Sequence, residues 1–255
     1  LDLIPKSFDI VGDIIIFSDF PKELKKKEKL IASTLLKIHK NIKVVAKKTR
    51  KYSGKYRLPK IKIIAGEKRK VTLHKENNVL AKLNIETCYF SPRLSNERLR
   101  IAKLTKKKES ILVMFSGVAI HPLVISKNSK AKEIYAIEIN PEAHRFAEEN
   151  VKLNKINNIE LFKGNVKLIL PKINKKFDRI IMPHPTNACS YLDLAIKKLK
   201  RNGIIHLYDF SKEKDVPNSS IKKIEKKVKK FKILNVVKCG QFAPRKYRVC
   251  IDFKV

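Results

Sequence analysis

The middle of the chain alternates between apolar strands and a helical stretch. Apolar runs at residues 111–115 and 134–139 predict two buried strands, and the apolar segment after Gly117 predicts a helix between them. Glu138 closes the second strand about 20 residues after the glycine, which is the layout of a nucleotide-binding βαβ unit. Because only one glycine of the usual set is present, an ordinary βαβ crossover remains an equal alternative.

The same alternation continues to the C-terminus. Further strands are predicted at residues 159–162, 177–182, 204–208, 233–239 and 247–253, and further helices at 92–103, 141–154, 188–199 and 219–231. Strands that alternate with helices are typical of a mostly parallel sheet covered on both faces, with ligands at the carboxyl ends of the strands. We therefore expect an α/β domain over residues 89–255.

The N-terminal part follows a different, mainly β pattern. Alternating residues on either side of Gly12 and Asp13 predict two short strands joined by a turn. After Pro21, apolar positions at helical spacing predict a helix that reaches residue 38. Shorter strands are predicted at residues 42–46, 56–58, 61–64, 71–74 and 79–85, with a loop at Ser53 and Gly54. We expect a small α+β domain at residues 1–88.

The net charge of the chain indicates what kind of partner it binds. The 255 residues include 59 lysines and arginines against 24 acidic residues, a formal net charge of +35. Such an excess favours a polyanionic partner, since lysine and arginine neutralise phosphates with release of counterions. A lysine-rich genome or a hot habitat is the alternative explanation for part of it. An acidic membrane surface is disfavoured, because no long amphipathic helix with aromatic anchors backs the basic stretches.

The chain shows no sign of secretion or membrane insertion. It has no apolar run near the roughly 18 residues of a membrane span, and no signal peptide opens it. Its four cysteines lack metal-binding spacing, so we expect reduced thiols in a cytoplasmic protein without a metal. Since the chain begins at Leu1, we expect that further residues precede it in the intact gene product.

Short motifs along nearly the whole chain resemble those of the archaeal and eukaryotic tRNA (guanine-37-N1)-methyltransferases. In chain order they are Gly54-Lys55-Tyr56-Arg57, Leu73-His74-Lys75-Glu76-Asn77, Tyr89-Phe90-Ser91-Pro92-Arg93 with Glu97-Arg98, Ala136-Ile137-Glu138-Ile139-Asn140-Pro141, Glu149-Asn150 with Leu153-Asn154-Lys155, Gly203-Ile204-Ile205-His206 with Tyr208, and Ala243-Pro244-Arg245. The resemblance implies a class I S-adenosylmethionine-dependent methyltransferase fold, Rossmann-like, behind a small RNA-contacting domain.

The resemblance also implies three catalytic residues. Glu97 matches the general base that removes the proton from guanine N1, Arg57 the cation that stabilises charge on O6, and Tyr89 an aromatic that positions base and methyl donor. The chemistry agrees, because the weakly acidic N1–H needs a carboxylate in reach and a fixed cation stabilises the anion. Taken singly, these residues also fit a first-turn helix carboxylate, a basic strand cation and a core aromatic.

The same comparison implies the binding residues. For S-adenosylmethionine they are Phe115, Gly117, Glu138, Ile139, Asn165, Pro183 and Pro185. For RNA they are Arg93, His184, Arg245 and Lys246. His184 stands in a Pro-His-Pro sequence where the family has Asn-Leu-Pro, so an ordinary loop histidine is an equal alternative. The expected partner is the anticodon region of tRNA, bound by a monomer.

Departures from the family pattern keep other functions open. Val113 stands in place of an aspartate, Ala119 in place of a second glycine, and Asn165 in place of the aspartate that faces the adenine amine. The first alternative is the sibling enzyme of wybutosine synthesis, which transfers an aminocarboxypropyl group, although Arg93 argues against it. The second is a tRNA-binding protein that has lost catalysis.

Overall fold

The computed structural model describes residues 8–18 and 20–255, apart from the side chains of Lys22, Lys51 and Tyr52. The chain divides into two compact units, Leu1–Arg93 and Leu94–Val255. The division lies close to the domain boundary expected after Cys88.

The first unit combines a four-stranded sheet, one helix and a β-hairpin. Its elements are β1 (Phe8–Val11), β2 (Ile14–Phe17), α1 (Glu28–Ile38), β3 (Val44–Ser53), β4 (Leu58–Gly66), β5 (Val71–Glu76) and β6 (Val79–Asn84). The sheet has the order β1-β2-β3-β4, and β5 pairs with β6 in the separate hairpin. The helix buries Ala32 against Ile15, Phe17 and Val45, which are fully or almost fully buried in one apolar cluster.

Two strands of this unit run further than the sequence pattern predicted. β3 continues to Ser53 and β4 begins at Leu58, so the two pair as one long antiparallel ribbon around Ser53 and Gly54. The polar residues of β3 gave no apolar alternation, but pairing with β4 satisfies their backbone groups. Such pairing depends on a partner strand rather than on the local sequence.

The second unit is an α/β domain. Its strands are β7 (Ser110–Met114), β8 (Glu133–Glu138), β9 (Ile159–Lys163), β10 (Phe177–Met182), β11 (Leu199–Lys212), β12 (Lys232–Ala243) and β13 (Lys246–Lys254). Its helices are α2 (Ser95–Leu104), α3 (Ile120–Asn128), α4 (Pro141–Leu153), α5 (Val166–Ile169), α6 (Leu192–Lys197) and α7 (Asn218–Glu225). The strand order is β12-β13-β11-β10-β7-β8-β9.

The sheet is parallel from β11 to β9, and β13 and β12 add an antiparallel edge. The chain proceeds outward through β7, β8 and β9 and then returns to the other side of β7 as β10. α/β sheets bind ligands at such a reversal, beside the carboxyl ends of the two strands that flank it, which here are β7 and β10. The expected Rossmann-like fold class is confirmed.

The ends of three elements differ from the sequence pattern. The predicted helix at residues 188–199 is a 3-10 turn followed by the short α6, and Leu199 already pairs with Phe177. β11 extends to Lys212 because β13 pairs with it from Ile204 to Lys212. α7 ends at Glu225, where the following run of lysines places like charges at helical spacing. No helix among the described residues is long and apolar enough to cross a membrane.

Candidate active site

The turn after β7 forms the centre of the site. Phe115, Gly117 and Ala119 all have left-handed backbone angles, with φ of 57°, 58° and 64°. Alternate left-handed residues fold the backbone tightly before α3, so that a ligand can approach it closely. The side-chain amide of Asn150, on α4, donates to the carbonyl of Val118 at 3.1 Å and so stabilises the conformation of the turn.

Glu138, at the end of β8, faces this turn. One carboxylate oxygen accepts the backbone N–H of Gly117 and the other that of Asn140, both across 2.7 Å. Burial raises the pKa of this carboxyl, although the backbone N–H groups oppose the shift. Each carboxylate oxygen carries two lone pairs, so both retain capacity for a ribose hydroxyl.

The buried hydroxyl of Ser116 marks a place for a polar ligand. Its oxygen has no hydrogen-bond partner among residues 8–18 and 20–255, although buried hydroxyls are almost always satisfied. It belongs to the same turn as Gly117. An unsatisfied donor beside a carboxylate and a tight turn fits the sugar and amino-acid portions of S-adenosylmethionine.

The next two strand ends complete the rim. Asn165 follows β9 and caps α5, since its side-chain oxygen accepts the N–H of Lys167 across 3.0 Å. After β10, the rings of His184 and Tyr191 pack edge-on against the ring of Phe115, with centroid distances of 5.2 and 4.9 Å. The two prolines beside His184, Pro183 and Pro185, are half-buried and buried.

The fold therefore gathers the residues expected to bind the cofactor. They follow four adjacent parallel strands, β10, β7, β8 and β9, whose carboxyl ends share one edge of the sheet. Those residues are Phe115, Gly117, Glu138, Ile139, Asn165, Pro183 and Pro185. Their individual roles remain predictions.

Glu97 lies in the first turn of α2 and is buried, 5% exposed. Arg100 donates from Nε to Oε2 at 2.7 Å and from Nη2 to Oε1 at 2.8 Å. The hydroxyl of Tyr208 donates to Oε1 at 2.7 Å. Such a carboxylate is fixed in place and carries charge-assisted hydrogen bonds on both oxygens.

Tyr208 places this carboxylate at the ligand edge of the sheet. Its neighbour Leu207 pairs with Met182, the last residue of β10, so Tyr208 stands level with the start of the 183–185 segment. The ring of Tyr208 also lies 6.2 Å from that of His121, at the start of α3. Glu97 and the turn at Gly117 therefore lie at the same end of the second unit.

A chain of polar groups continues from Arg100 into the core. Arg100 also donates to Asp252, which accepts the Nδ1–H of His206 at 2.6 Å. The other ring nitrogen of His206 faces Arg179, which pairs with Glu109 at 2.7 Å. Arg100 and Asp252 were not among the residues predicted from the sequence. Two signals pointed to them: an arginine one helical turn after Glu97, and a charged residue inside the apolar run of β13.

Arg57 and Tyr89 belong to the first unit and are neighbours there. The guanidinium of Arg57 lies 5.3 Å from the centre of the Tyr89 ring, in cation–π range. Arg57 has a φ of 54°, at the turn that joins β3 to β4. A left-handed conformation is strained for a non-glycine residue and is enriched at functional sites.

The residues expected to bind RNA are accessible to different degrees. Arg93 is exposed but donates to Asp9 at 2.7 Å, and Arg245 is exposed at the turn between β12 and β13. Lys246 lies over the ring of Phe242, which is 48% exposed and packs on Phe210 at 4.1 Å. The sequence analysis missed this aromatic pair, because Phe210 and Phe242 come together only through the strand pairing.

Two family models match parts of the chain. A family model described as the TRM5/TYW2 methyltransferase domain matches residues 72–237, and one described as the TYW2 N-terminal domain matches residues 1–69. The chain is similar to the tRNA (guanine(37)-N(1))-methyltransferase Trm5b of Pyrococcus abyssi, with 38% identity over 99% of this chain and 76% of that protein.

Two solved structures resemble the protein closely. A complex of aTrm5 with tRNALeu matches with a TM-score of 0.89 at 32% identity, over 100% of this chain and 73% of that one. TYW2 of Methanocaldococcus jannaschii in complex with AdoMet matches with a TM-score of 0.72 at 26% identity, over 97% and 98% of the two chains. The protein therefore belongs to the TRM5/TYW2 methyltransferase family, as its motifs predicted.

Proposed function

We propose that this protein is an S-adenosylmethionine-dependent tRNA (guanine-37-N1)-methyltransferase. The observation that carries the proposal is the buried Glu97 carboxylate, held by Arg100 and Tyr208 at the end of the sheet where Gly117 and Glu138 lie. The similarity to Trm5b over nearly the whole chain supports the same reaction.

The residues fit the chemistry as follows. S-adenosylmethionine supplies an electrophilic methyl group and its own leaving group. As the bond from guanine N1 to the methyl carbon forms and the sulfur–carbon bond breaks, the N1 proton passes to the Glu97 carboxylate. Arg57 stabilises the negative charge that develops on O6, and Tyr89 positions the base. Glu138 and Ser116 bind the hydroxyl groups and other polar groups of the cofactor.

Recognition of tRNA is proposed to combine charge with a stacking surface. The net charge of +35 provides phosphate contacts that position the RNA without specifying its sequence. Phe242, exposed beside Lys246, offers an aromatic face for an unpaired base. Target choice then depends on a flipped guanosine read at the site near Glu97, where His184 is the nearest substitute for the family's asparagine.

We also propose a monomeric, cytoplasmic enzyme that requires no metal. The cysteines are free thiols, in keeping with a reducing compartment. The side chains of His206, Cys250 and Asp252 have potential metal-ligand atoms within 4.8 Å of one another. However, His206 and Cys250 both donate hydrogen bonds to Asp252, and the guanidinium groups of Arg100 and Arg179 contact Asp252 and His206. Two neighbouring cations disfavour a divalent ion there. Undiminished activity after treatment with EDTA is the expected result.

The test uses unmodified tRNA transcripts and S-adenosylmethionine labelled in the methyl group. Nucleoside mass spectrometry should show N1-methylguanosine, and a transcript with adenosine at position 37 should show none. Glu97→Gln should reduce the single-turnover rate by about 10²- to 10⁴-fold, because the general base is lost. Full activity of Glu97→Gln would reject the assigned base.

The sibling reaction, aminocarboxypropyl transfer, is the second candidate. It is favoured by the match of residues 1–69 to the TYW2 N-terminal domain. Donor labelled in the carboxyl group, offered with tRNA that carries the tricyclic guanosine, would label the product only in that reaction. Tight tRNA binding with no binding of S-adenosylhomocysteine would instead indicate a protein that has lost catalysis.

A further inference from the structure

The chain of buried polar groups behind Glu97 has a consequence for the reaction. We propose that Arg100 and Tyr208 are positioning residues that anchor Oε1 of Glu97 and leave Oε2 as the atom that accepts the guanine proton. Asp252 holds Arg100 in its orientation, and His206 in turn holds Asp252. This inference rests on the proposed function and assigns a geometry to its base.

The hydrogen-bond capacities of the two oxygens differ. Oε1 accepts from Arg100 and from Tyr208, which occupies both of its lone pairs. Oε2 accepts from Nε of Arg100. The thiol of Cys239 lies within hydrogen-bonding range of the same carboxylate, but its single proton is donated to the carbonyl of Val237 at 3.5 Å. Oε2 therefore retains a lone pair for the N1–H of the base.

Arg100 is itself held in one orientation. Its guanidinium donates to both oxygens of Asp252, at 2.5 and 3.2 Å, while it also donates to both oxygens of Glu97. A planar guanidinium placed between two carboxylates cannot rotate without breaking several charge-assisted bonds. Burial alone would lower the pKa of Arg100, but the bonds to Glu97 and Asp252 outweigh it and raise the pKa. The cation therefore persists.

His206 completes the anchor as a neutral ring. Burial lowers its pKa, and Arg179 directs an N–H at Nε2 from 2.6 Å. Nε2 must then be the acceptor, so the ring proton lies on Nδ1 and is donated to Asp252. His206 and Tyr208 are alternate residues of β11 and contact the two ends of the same chain of groups, at Asp252 and Glu97.

Several charged or titratable groups of the second unit face Glu97 or its partner Arg100. They are Arg100 from α2, Tyr208 from β11, Cys239 from β12, and Cys250 and Asp252 from β13. Burial raises the pKa of Tyr208 and of both thiols, so these three groups remain protonated. Arg100 and Asp252 are then the charged groups of this set.

The test is the pH dependence of the single-turnover methylation rate, measured with saturating tRNA and cofactor. Tyr208→Phe keeps the ring and removes one hydrogen-bond donor from the Glu97 carboxylate. The acid limb of the profile should move up by about one pH unit, and the rate should fall about tenfold. Arg100→Met should move the limb up by about one to three units. Asp252→Asn should move it down, because Arg100 is then less neutralised.

Arg100→Lys keeps the positive charge but removes the planar guanidinium, so it tests the hydrogen-bond geometry separately from the charge. It should leave the acid limb in place and lower the rate about tenfold, since a single ammonium cannot bridge both oxygens. Arg145→Met, which removes an exposed arginine of α4 that pairs with Glu142, is the matched control and should change neither quantity. Circular dichroism of each variant excludes unfolding.

The outcomes separate this inference from the function. If the wild-type protein forms no N1-methylguanosine, the proposed function fails. If it does, and Tyr208→Phe and Arg100→Met keep the wild-type rate and pH profile while folded, the positioning role is wrong and the function stands. Shifts of Arg100→Met and Asp252→Asn in the same direction would also overturn the assignment.

Discussion

The hydroxyl of Tyr208 donates to Oε1 of Glu97 across 2.7 Å, and so joins β11 to a residue of α2 that lies 111 positions earlier in the chain. Both groups are buried, and the phenol remains protonated because burial raises its pKa. The bond fixes the side chain that we propose as the general base on the edge of the sheet, rather than on a mobile loop. Catalytic groups held by packed elements keep their geometry without reorganisation.

Arg57 provides the first prediction. Arg57→Ala should lower the single-turnover rate by about 10²- to 10³-fold, because the charge on O6 loses its stabilising cation. Arg57→Lys should recover only part of the rate, since an ammonium lacks the planar guanidinium that lies over Tyr89. Arg50→Ala, on β3 of the same unit, is the control for lost positive charge. Equal rates for the two alanine variants would remove Arg57 from the mechanism.

Glu138 provides the second. In the wild-type protein two backbone N–H groups each donate to one oxygen of Glu138. Glu138→Gln replaces one of these oxygens with an NH2 group, which then faces an N–H donor and cannot accept its hydrogen bond. We expect the affinity for S-adenosylhomocysteine, measured by calorimetry, to fall at least about tenfold. Glu142→Gln, an exposed carboxylate four positions later, should bind normally. Normal binding by Glu138→Gln would contradict the cofactor site.

The third prediction concerns stability against pH. Burial lowers the pKa of His206, so the folded protein binds no proton there while the unfolded chain takes one below its pKa of about 6.5. The free energy of unfolding should therefore decrease as the pH falls from about 6.5 toward the folded pKa. His144, whose pKa is lowered by burial in the same way, adds to this slope.

Asp252 affects the free energy of unfolding at lower pH. Burial would raise its pKa, but the bonds from His206 and Arg100 hold the pKa far below its usual value. Its contribution is complete above a pH of about 4 and is lost on further acidification. Urea unfolding followed by circular dichroism should show both windows, and His206→Gln should flatten the upper one. An unchanged slope near pH 6 in that variant would mean that His206 is charged in the fold.

The fourth prediction compares two glycines of the first unit. Gly12 and Gly54 have φ of 58° and 73°, so alanine is strained at both. A methyl group at Gly12 would also meet the Thr72 hydroxyl and, at 2.6 Å, the carbonyl oxygen of Leu73, whereas nothing lies within 4 Å of one at Gly54. Gly54→Ala should cost about 1–2 kcal/mol from backbone strain alone. Gly12→Ala should cost more, and equal losses would contradict the close approach of β5.

The fifth prediction concerns RNA affinity. The binding constant for tRNA should fall steeply with salt, and Lys246→Gln should reduce the slope of that log–log plot by about 1. Phe242→Ala should weaken binding without changing the slope, because stacking releases no counterions. Leu234→Ala, an equally exposed apolar residue of β12, is the control. A flat salt profile would mean that the charge of +35 does not serve tRNA binding.

The sequence by itself determined the α/β class and the positions of most strands and helices. Buried strands such as β7 and β10 are apolar throughout, and α4 has its apolar face at helical spacing, so these patterns are local. The order of strand ends then placed Gly117, Glu138 and Asn165 along one edge, because parallel strands share a direction. The motifs added the family and the proposal that Glu97 is the general base.

Only the tertiary structure decided what holds that base. Arg100, Tyr208, Asp252 and His206 come from one helix and two strands, and no local pattern distinguishes a buried ion pair from an exposed one. The lengths of β3 and β11 were likewise set by partner strands rather than by their own residues. Charge pairing and strand pairing depend on groups distant in sequence, and folding alone brings them together.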